Sequence, residues 1–281
     1  MICSVASGKG GTGKTTVAVS LALSLKEKEV VQFIDSDVEG PNAHLFLRPD
    51  IISSQEVFLP VPEIDEEQCT HCGLCAEVCA YNALAVLPDQ VLVFPELCHG
   101  CGGCTLLCPQ KAIREKGLRI GLIHQGRLPQ LDFLQGRLDV GLPLSPPVIR
   151  ELKKLISPDK TVIIDSPPGT SCPAVESMKG SDFVLLVTEP TPFGLNDLKL
   201  TVDTLKKLHL PSGVVINRSE PAHDRLIEEY CHQEKIPVLM KIPFDRGIAH
   251  AYSEGQSLVE YKPSLRDEFR SLWTKIKELS R

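Results

Sequence analysis

The sequence predicts an α/β chain: a mostly parallel sheet flanked by helices, interrupted by a small, cysteine-rich α+β insertion. Three observations predict it. The apolar, β-rich opening "ICSVAS" (2–7) runs into the glycine loop "GKGGTGKT" (8–15) and then into a helical stretch from about 15 to 26. Two more apolar runs, "VVQFIDSD" (30–37) and "TVIIDSPPG" (161–169), carry aspartates at their ends, as buried parallel strands do when they present groups at their carboxyl edge. Eight of the eleven cysteines fall between 69 and 108.

The chain has 281 residues, 42% hydrophobic and 23% charged, which is ordinary for one large globular domain or two smaller ones. No apolar run approaches the roughly 18 residues of a membrane helix. The opening meets Lys9 and Lys14 after one short strand, which is not a signal peptide, so a cytoplasmic protein is expected and no membrane association. Without an export signal, the cysteine density reads as metal binding rather than disulfides. Between Pro60 and Glu115 eight acids (Glu63, Asp65, Glu66, Glu67, Glu77, Asp89, Glu96, Glu115) face only Lys111 and Arg114, a net of −6 that accounts for the whole formal charge. Such a surface speaks against nucleic acid, whose phosphates need a basic face. It suits a partner with a basic docking surface, or serves only to keep a small domain soluble.

The glycine loop satisfies G-x-x-x-x-G-K-[ST] at Gly8, Gly13, Lys14 and Thr15, with the strand before and the helix after that a P-loop requires. The span Gly8, Lys9, Gly10, Gly11, Thr12, Gly13, Lys14, Thr15, Thr16 is therefore the expected phosphate cradle. Its glycines let backbone N–H groups face the phosphates, and the helix start adds partial positive charge. Lys14 is expected at the β/γ-phosphates and the Thr15 hydroxyl on Mg²⁺. Asp35, Asp37 and Asp165 are the expected carboxylates of the same site.

With Lys9 as well as Lys14, the loop resembles the deviant P-loop of the MinD/Mrp/nitrogenase-iron-protein class of ATPases. "DSDVEGPN" (35–42) and "DSPPGT" (165–170) are similar to the first and second switches of Mrp-type cluster carriers, and "VVINR" (214–218) and "IPFDRGIAHAYSEGQSL" (242–258) to the late part of the class. The resemblance implies a P-loop NTPase fold in which ATP closes a dimer and hydrolysis reopens it. It implies that Lys9 reaches the partner's nucleotide, Asp37 orients the attacking water, and Asp35 and Asp165 belong to the Mg²⁺ shell. It places Asn217 on adenine, with Pro243 and Asp245 nearby. The dimer is either a homodimer or a heterodimer with a paralogue.

"CTHCGLCAEVC" (69–79) and "CHGCGGCTLLC" (98–108) repeat one spacing 29 positions apart. C-x₂-C-x₂-C-x₃-C is the bacterial ferredoxin run, whose fourth cysteine serves the other cluster. Cys69, Cys72, Cys75 and Cys108 are accordingly expected on one [4Fe–4S] cluster, and Cys98, Cys101, Cys104 and Cys79 on a second. Zinc also uses C-x₂-C pairs, but as pairs of pairs, whereas two runs of four fit cubanes better. Ala80 stands where a ferredoxin usually has proline, while Pro109 keeps it in the second run. His71 and His99 are expected as surface residues rather than ligands.

This ferredoxin-like 2[4Fe–4S] segment, 60–116, is expected to interrupt a discontinuous ATPase domain at 1–59 and 117–281, with Pro60 and Pro62 marking the way in. Cys172, seven residues after Asp165, lies where the nitrogenase iron protein carries a cluster ligand, so it is either an extra ligand in a dimer or a small buried thiol. Cys3 and Cys231 read as core. The last helix sets Leu265, Phe269, Leu272, Trp273, Ile276 and Leu279 on one stripe, expected to cover the sheet. The expected activity is Mg²⁺-ATP hydrolysis gating electron transfer through the two clusters to a redox or client protein. The alternatives are an Mrp-like cluster assembly carrier and a MinD-like positioning scaffold with structural or sensing clusters.

Overall fold

The structure, a computed structural model, describes residues 1–280. Its eleven strands are β1 (Ile2–Ala6), β2 (Val31–Asp35), β3 (Asp50–Ile64), β4 (Leu84–Val86), β5 (Val91–Val93) and β6 (Ile113–Leu128). They continue as β7 (Leu131–Leu138), β8 (Thr161–Asp165), β9 (Phe183–Thr188), β10 (Ser212–Ser219) and β11 (Val238–Pro243). Nine form one sheet, ordered β11-β10-β9-β1-β8-β2-β7-β6-β3. From β11 to β7 every pairing is parallel; β6 and β3 extend that edge antiparallel.

The three strands singled out in the sequence are neighbours, with β8 between β1 and β2. Alternation along them splits the core between the two sheet faces. Val31, Phe33 and Ile163 pack with the helices Lys14–Leu25 and Leu265–Leu279, while Ile34, Val162 and Ile164 pack on the opposite face. The first of these helices is buried along its whole length, because the second covers its outer side. There Leu265, Phe269, Leu272, Trp273 and Ile276 are buried as the stripe predicts. Burial of each such side chain contributes roughly 1.5–3 kcal/mol. Leu279 differs and is 45% exposed, one turn past the edge of the core. Among the described residues no helix is long and apolar enough to cross a membrane.

One feature was not legible as an element. β3 and β6 pair from Asp50↔Arg127 to Ile64↔Ile113, whereas the β6–β7 ladder stops at Gly121↔Leu138. Beyond that point β3 and β6 leave the sheet as a two-stranded ribbon, and residues 65–112 sit at its tip. The sequence-based limits at 60 and 116 thus fall inside the ribbon, where Pro60 and Pro62 are strand residues opposite Gly117 and Glu115. Proline lacks a donor, and an edge strand such as β3 tolerates it. The tip holds the β4–β5 hairpin and the short helices Leu74–Glu77 and Gly103–Leu107.

Candidate functional site

The carboxyl ends of β1, β2 and β8 converge on one pocket. Its floor is the glycine loop, and its lining includes Lys9, Gly10, Gly11, Gly13, Lys14, Thr15, Thr16 and Asp37. Gly11 and Gly13 have φ of +81° and +90°, which glycine adopts at no steric cost. A Cβ on Gly13 would also lie 2.3 Å from Asn217 Nδ2. Helix Lys14–Leu25 has no side-chain cap at its start, so its first N–H groups are left for an anion. Gly8 and Thr12 sit behind the lining: a Cβ on Gly8 would meet the Asp197 carbonyl oxygen at 2.3 Å, and the Thr12 carbonyl accepts a 2.7 Å bond from Asn217 Nδ2.

Three carboxylates face one buried cation. Lys14 Nζ lies 2.9 Å from Asp165 Oδ1 and 3.9 Å from Asp37 Oδ2. Burial lowers the Lys14 pKa, but the charges of Asp165, Asp37 and Asp35 outweigh it and the net shift is upward. Asp35, fully buried, accepts from the backbone N–H of Asp37, Asn42 and Ala43 at 3.3, 3.0 and 3.0 Å. It ties down the loop after β2 rather than lining the pocket. Burial, then the charge of Asp165, pushes the Asp35 carboxyl up. Burial raises Asp37 to about 6, against the lowering effect of Lys14. Asp165 Oδ2 is buried with no partner. An excess of carboxylate and an orphaned buried oxygen fit a hard cation such as Mg²⁺, and Thr15 lines the same pocket.

The two aspartate loops are joined underneath. Ser36 Oγ donates to the Asp165 carbonyl at 2.7 Å and shares a 2.8 Å bond with Ser177 Oγ, which donates to Ser166 Oγ at 2.9 Å. Lys9 is 36% exposed and lies 3.7 Å from Glu189 Oε2. Glu189 is buried and also holds Arg218. Glu189 and Arg218 were missed in the sequence, since a pair 29 positions apart leaves no spacing signature. Asn217, Pro243 and Asp245 line the outer pocket with Phe244, Ile248 and Tyr252, the last three also not foreseen. Asp245 caps helix Arg246–Ser253 through Gly247 N–H at 2.7 Å.

The eight clustered cysteines surround two separate cavities. One is lined by Cys69, Cys72, Cys75 and Cys108, the other by Cys79, Cys98, Cys101 and Cys104, so each takes three cysteines of one run and the last of the other. Every cysteine among the described residues is a free thiol. Backbone N–H groups of His71, Ala83 and Gly100 point at Cys69, Cys79 and Cys98 Sγ at 3.4, 3.3 and 3.4 Å. Burial pushes the Cys75, Cys98 and Cys104 thiols up, and neighbouring thiols add to it. Four thiolates in so small a space need a cationic centre, which is the fit an iron–sulfur cluster provides. His71 and His99 are engaged elsewhere: His71 bonds Glu66 at 3.1 Å, and His99 stacks on Tyr81 with ring centroids 3.6 Å apart. Glu66, Cys69 and His71 also come close enough together to hold an ion, but Cys69 is the member shared with the larger set.

Cys172 starts helix Cys172–Met178 and is exposed, which overturns the buried-thiol alternative: the proline-rich loop before it carries it outside the core. Cys3 and Cys231 are buried as expected.

Comparison with known proteins agrees with the pocket. The chain is 33% identical over 264 residues to the uncharacterized protein MJ0579 of Methanocaldococcus jannaschii, covering 93% of this chain and 92% of the relative. It is 25% identical over 279 residues to the iron-sulfur cluster carrier protein of Pyrococcus horikoshii, covering 92% and 79%. The septum site-determining protein MinD of Pyrococcus horikoshii, solved with Mg-ADP, superposes with a TM-score of 0.59 at 23% identity, over 99% of this chain and 96% of that one. The CbiA family profile, the CobQ/CobB/MinD/ParA nucleotide binding domain, matches residues 3–259. With its P-loop, its paired aspartate strands and that match along nearly its whole length, the chain belongs to the CobQ/CobB/MinD/ParA nucleotide-binding family.

Proposed function

We propose that this protein is an Mg²⁺-ATP-dependent ATPase whose nucleotide cycle gates electron transfer through two [4Fe–4S] clusters to a protein partner with a basic surface. The observation that carries the reading is the closure of two crossed cysteine sets around two cavities on a ribbon that grows from a P-loop body. In this reading 1–59 and 117–281 are the ATPase and 60–116 the ferredoxin-like module.

On the ATPase side, catalysis of phosphoryl transfer is positioning and charge neutralisation. The glycine loop and the open helix start cradle the phosphates. Lys14 moves from Asp165 to the β/γ-phosphates, and Thr15 and Asp165 hold Mg²⁺, with Asp35 keeping the neighbouring loop in place. Asp37, 25% exposed at its side chain, faces the pocket where it orients the attacking water. Lys9 leaves Glu189 to reach the nucleotide of a second subunit, identical or paralogous. Asn217, Pro243 and Asp245 border the adenine end. On the other side, the clusters when bound supply one-electron carriage. The chain's own part is to hold them with eight thiolates, to donate backbone N–H bonds to sulfur, and to surround them with acids.

The test is an anaerobic redox titration followed by EPR, with ADP and with a non-hydrolysable ATP analogue. A nucleotide-dependent shift of cluster potential or spin coupling is the expected result; identical titrations under both nucleotides would sink the gating. One observation favours a second reading, cluster delivery: Cys172 is exposed and a relative is named a cluster carrier. That reading expects iron beyond the two ferredoxin clusters, lost in Cys172→Ser.

A further inference from the structure

The two cysteine sets are not equivalent in the fold. The Cys69 cavity is lined by Ile64, Ile113, Val86 and Val91, at the tip where the β3–β6 pairing ends. The Cys98 cavity lies nearer the body, against Pro60, Pro62 and Glu115. Gly100, between Cys98 and Cys101, is pressed so closely on the ribbon that a Cβ there would meet Leu59 Cδ1 at 2.7 Å. Cys98 itself is 8% exposed and belongs to the same apolar core as Leu59, Ile120, Leu138 and Val38. None of Cys69, Cys72, Cys75 and Cys108 belongs to that core.

That core leads back to the nucleotide pocket without a gap. Val38 follows Asp37, and its carbonyl accepts from Leu138 N–H at 2.8 Å. Gly136 on β7 admits it: a Cβ there would lie 2.6 Å from Val38 Cγ1. The next residue after Leu138, Asp139, donates its N–H to the Ile120 carbonyl at 2.9 Å. Ile120 is an extra residue in β6, since Val57 pairs with Gly121 and Phe58 with Arg119. This bulge sits where β6 parts from β7, the last pair being Gly121↔Leu138. Bulges bend a strand and re-aim its continuation, so the Ile120 bulge, packed in one core with Val38, sets the direction of the outer ribbon. Arg119 clamps the same corner, reaching Asp139 at 3.3 Å and Glu56 at 3.1 Å.

We propose that the Cys98–Cys101–Cys104–Cys79 set alone senses the nucleotide state, through Val38, the Ile120 bulge and Leu59, while the Cys69 set at the tip is insulated from it. The inference rests on the reading above that the pocket cycles between nucleotide states and that the cysteines hold clusters. Leu59 and Arg119 are positioning residues in it, since neither touches nucleotide or thiol chemistry.

The test is hydrogen exchange by mass spectrometry on the iron-loaded protein, with Mg-ADP and with a non-hydrolysable ATP analogue. The expected result is a nucleotide-dependent difference at 98–104 and none at 69–75. Leu59→Ala should shrink that difference at least about threefold, the scale of a coupling residue, and Arg119→Met, which leaves the core intact, should shrink it less. Lys116→Met, at an ion pair nearer the tip, should leave it as it is. A merely structural loss would raise exchange equally under both nucleotides, so only the difference is read. An equal response at both sets, a response at 69–75 alone, or an unchanged difference in Leu59→Ala and Arg119→Met overturns the proposal. Iron content and nucleotide binding are measured on the same samples; loss of either fails the parent reading instead.

Discussion

The nucleotide pocket and the cysteine module are held together by different means. The pocket rests on a completed core: β1, β2 and β8 are almost wholly buried, and Asp35, Asp37 and Asp165 are already bonded or paired save for the one buried oxygen Asp165 Oδ2. The module has little core. Between 65 and 112 the buried residues are Ala83, Leu84, Val91, Cys98 and Ala112, while Leu97, Leu106 and Leu107 are 48%, 83% and 50% exposed. Fewer than about 70–80 residues rarely build a sufficient core without metals or disulfides, and here the thiols are free. One site is shaped by packing before its ligand arrives; the other, on the proposed reading, takes its shape from the clusters it holds.

On the proposed reading, the sharpest way to break that contrast is to strip the iron. Chelation under reducing conditions should cost 65–112 its protection from hydrogen exchange while the body's strands keep theirs, because binding energy of such centres is folding energy. Persistence of the module without iron would mean that its small core suffices. Next in size, Lys14→Ala should cut ATP turnover on the order of 100-fold or more, the scale of losing one preorganised charge stabiliser, and leave iron content unchanged. Correlated loss of iron would erase the separation of the two sites. Phe269→Ala, deep in the body, should lower stability by about 3–5 kcal/mol as read by thermal unfolding of the body, with the visible absorption of the clusters lost only together with global unfolding. The smallest effect tests local order. Thr191 Oγ1 accepts from Gly194 N–H at 3.0 Å at the start of helix Pro192–Leu208, and Thr191→Ala should cost about 1 kcal/mol without touching either site.

The sequence exposed what repeats or obeys a fixed spacing. The P-loop needs Gly8, Gly13, Lys14 and Thr15 at set offsets, and β1, β2 and β8 announce themselves by apolar runs, the latter two ending at Asp35 and Asp165. The stripe on the last helix follows from its period, short of Leu279. The crossing of the cysteine runs follows from the ferredoxin spacing, and the cavities group the same residues. Pairings between distant positions were not visible. β3 hides behind Pro60 and Pro62, which read as linker signals until its edge position is known. The Ser36–Ser177–Ser166 chain and the Glu189 pairs with Lys9 and Arg218 join residues whose separations are set by topology rather than by any local period.

The ribbon also has a bearing on how such a chain can be built and taken apart. Ile64 and Ile113 are cross-strand partners, so the module leaves and rejoins the body at a single point, as the loop of a hairpin does. In architectural terms the module is an overgrown turn. A two-residue Asn-Gly linker between those positions would close β3 and β6 into an ordinary hairpin, leaving the nucleotide fold continuous. The same junction could receive a different cargo, which makes the ribbon a socket.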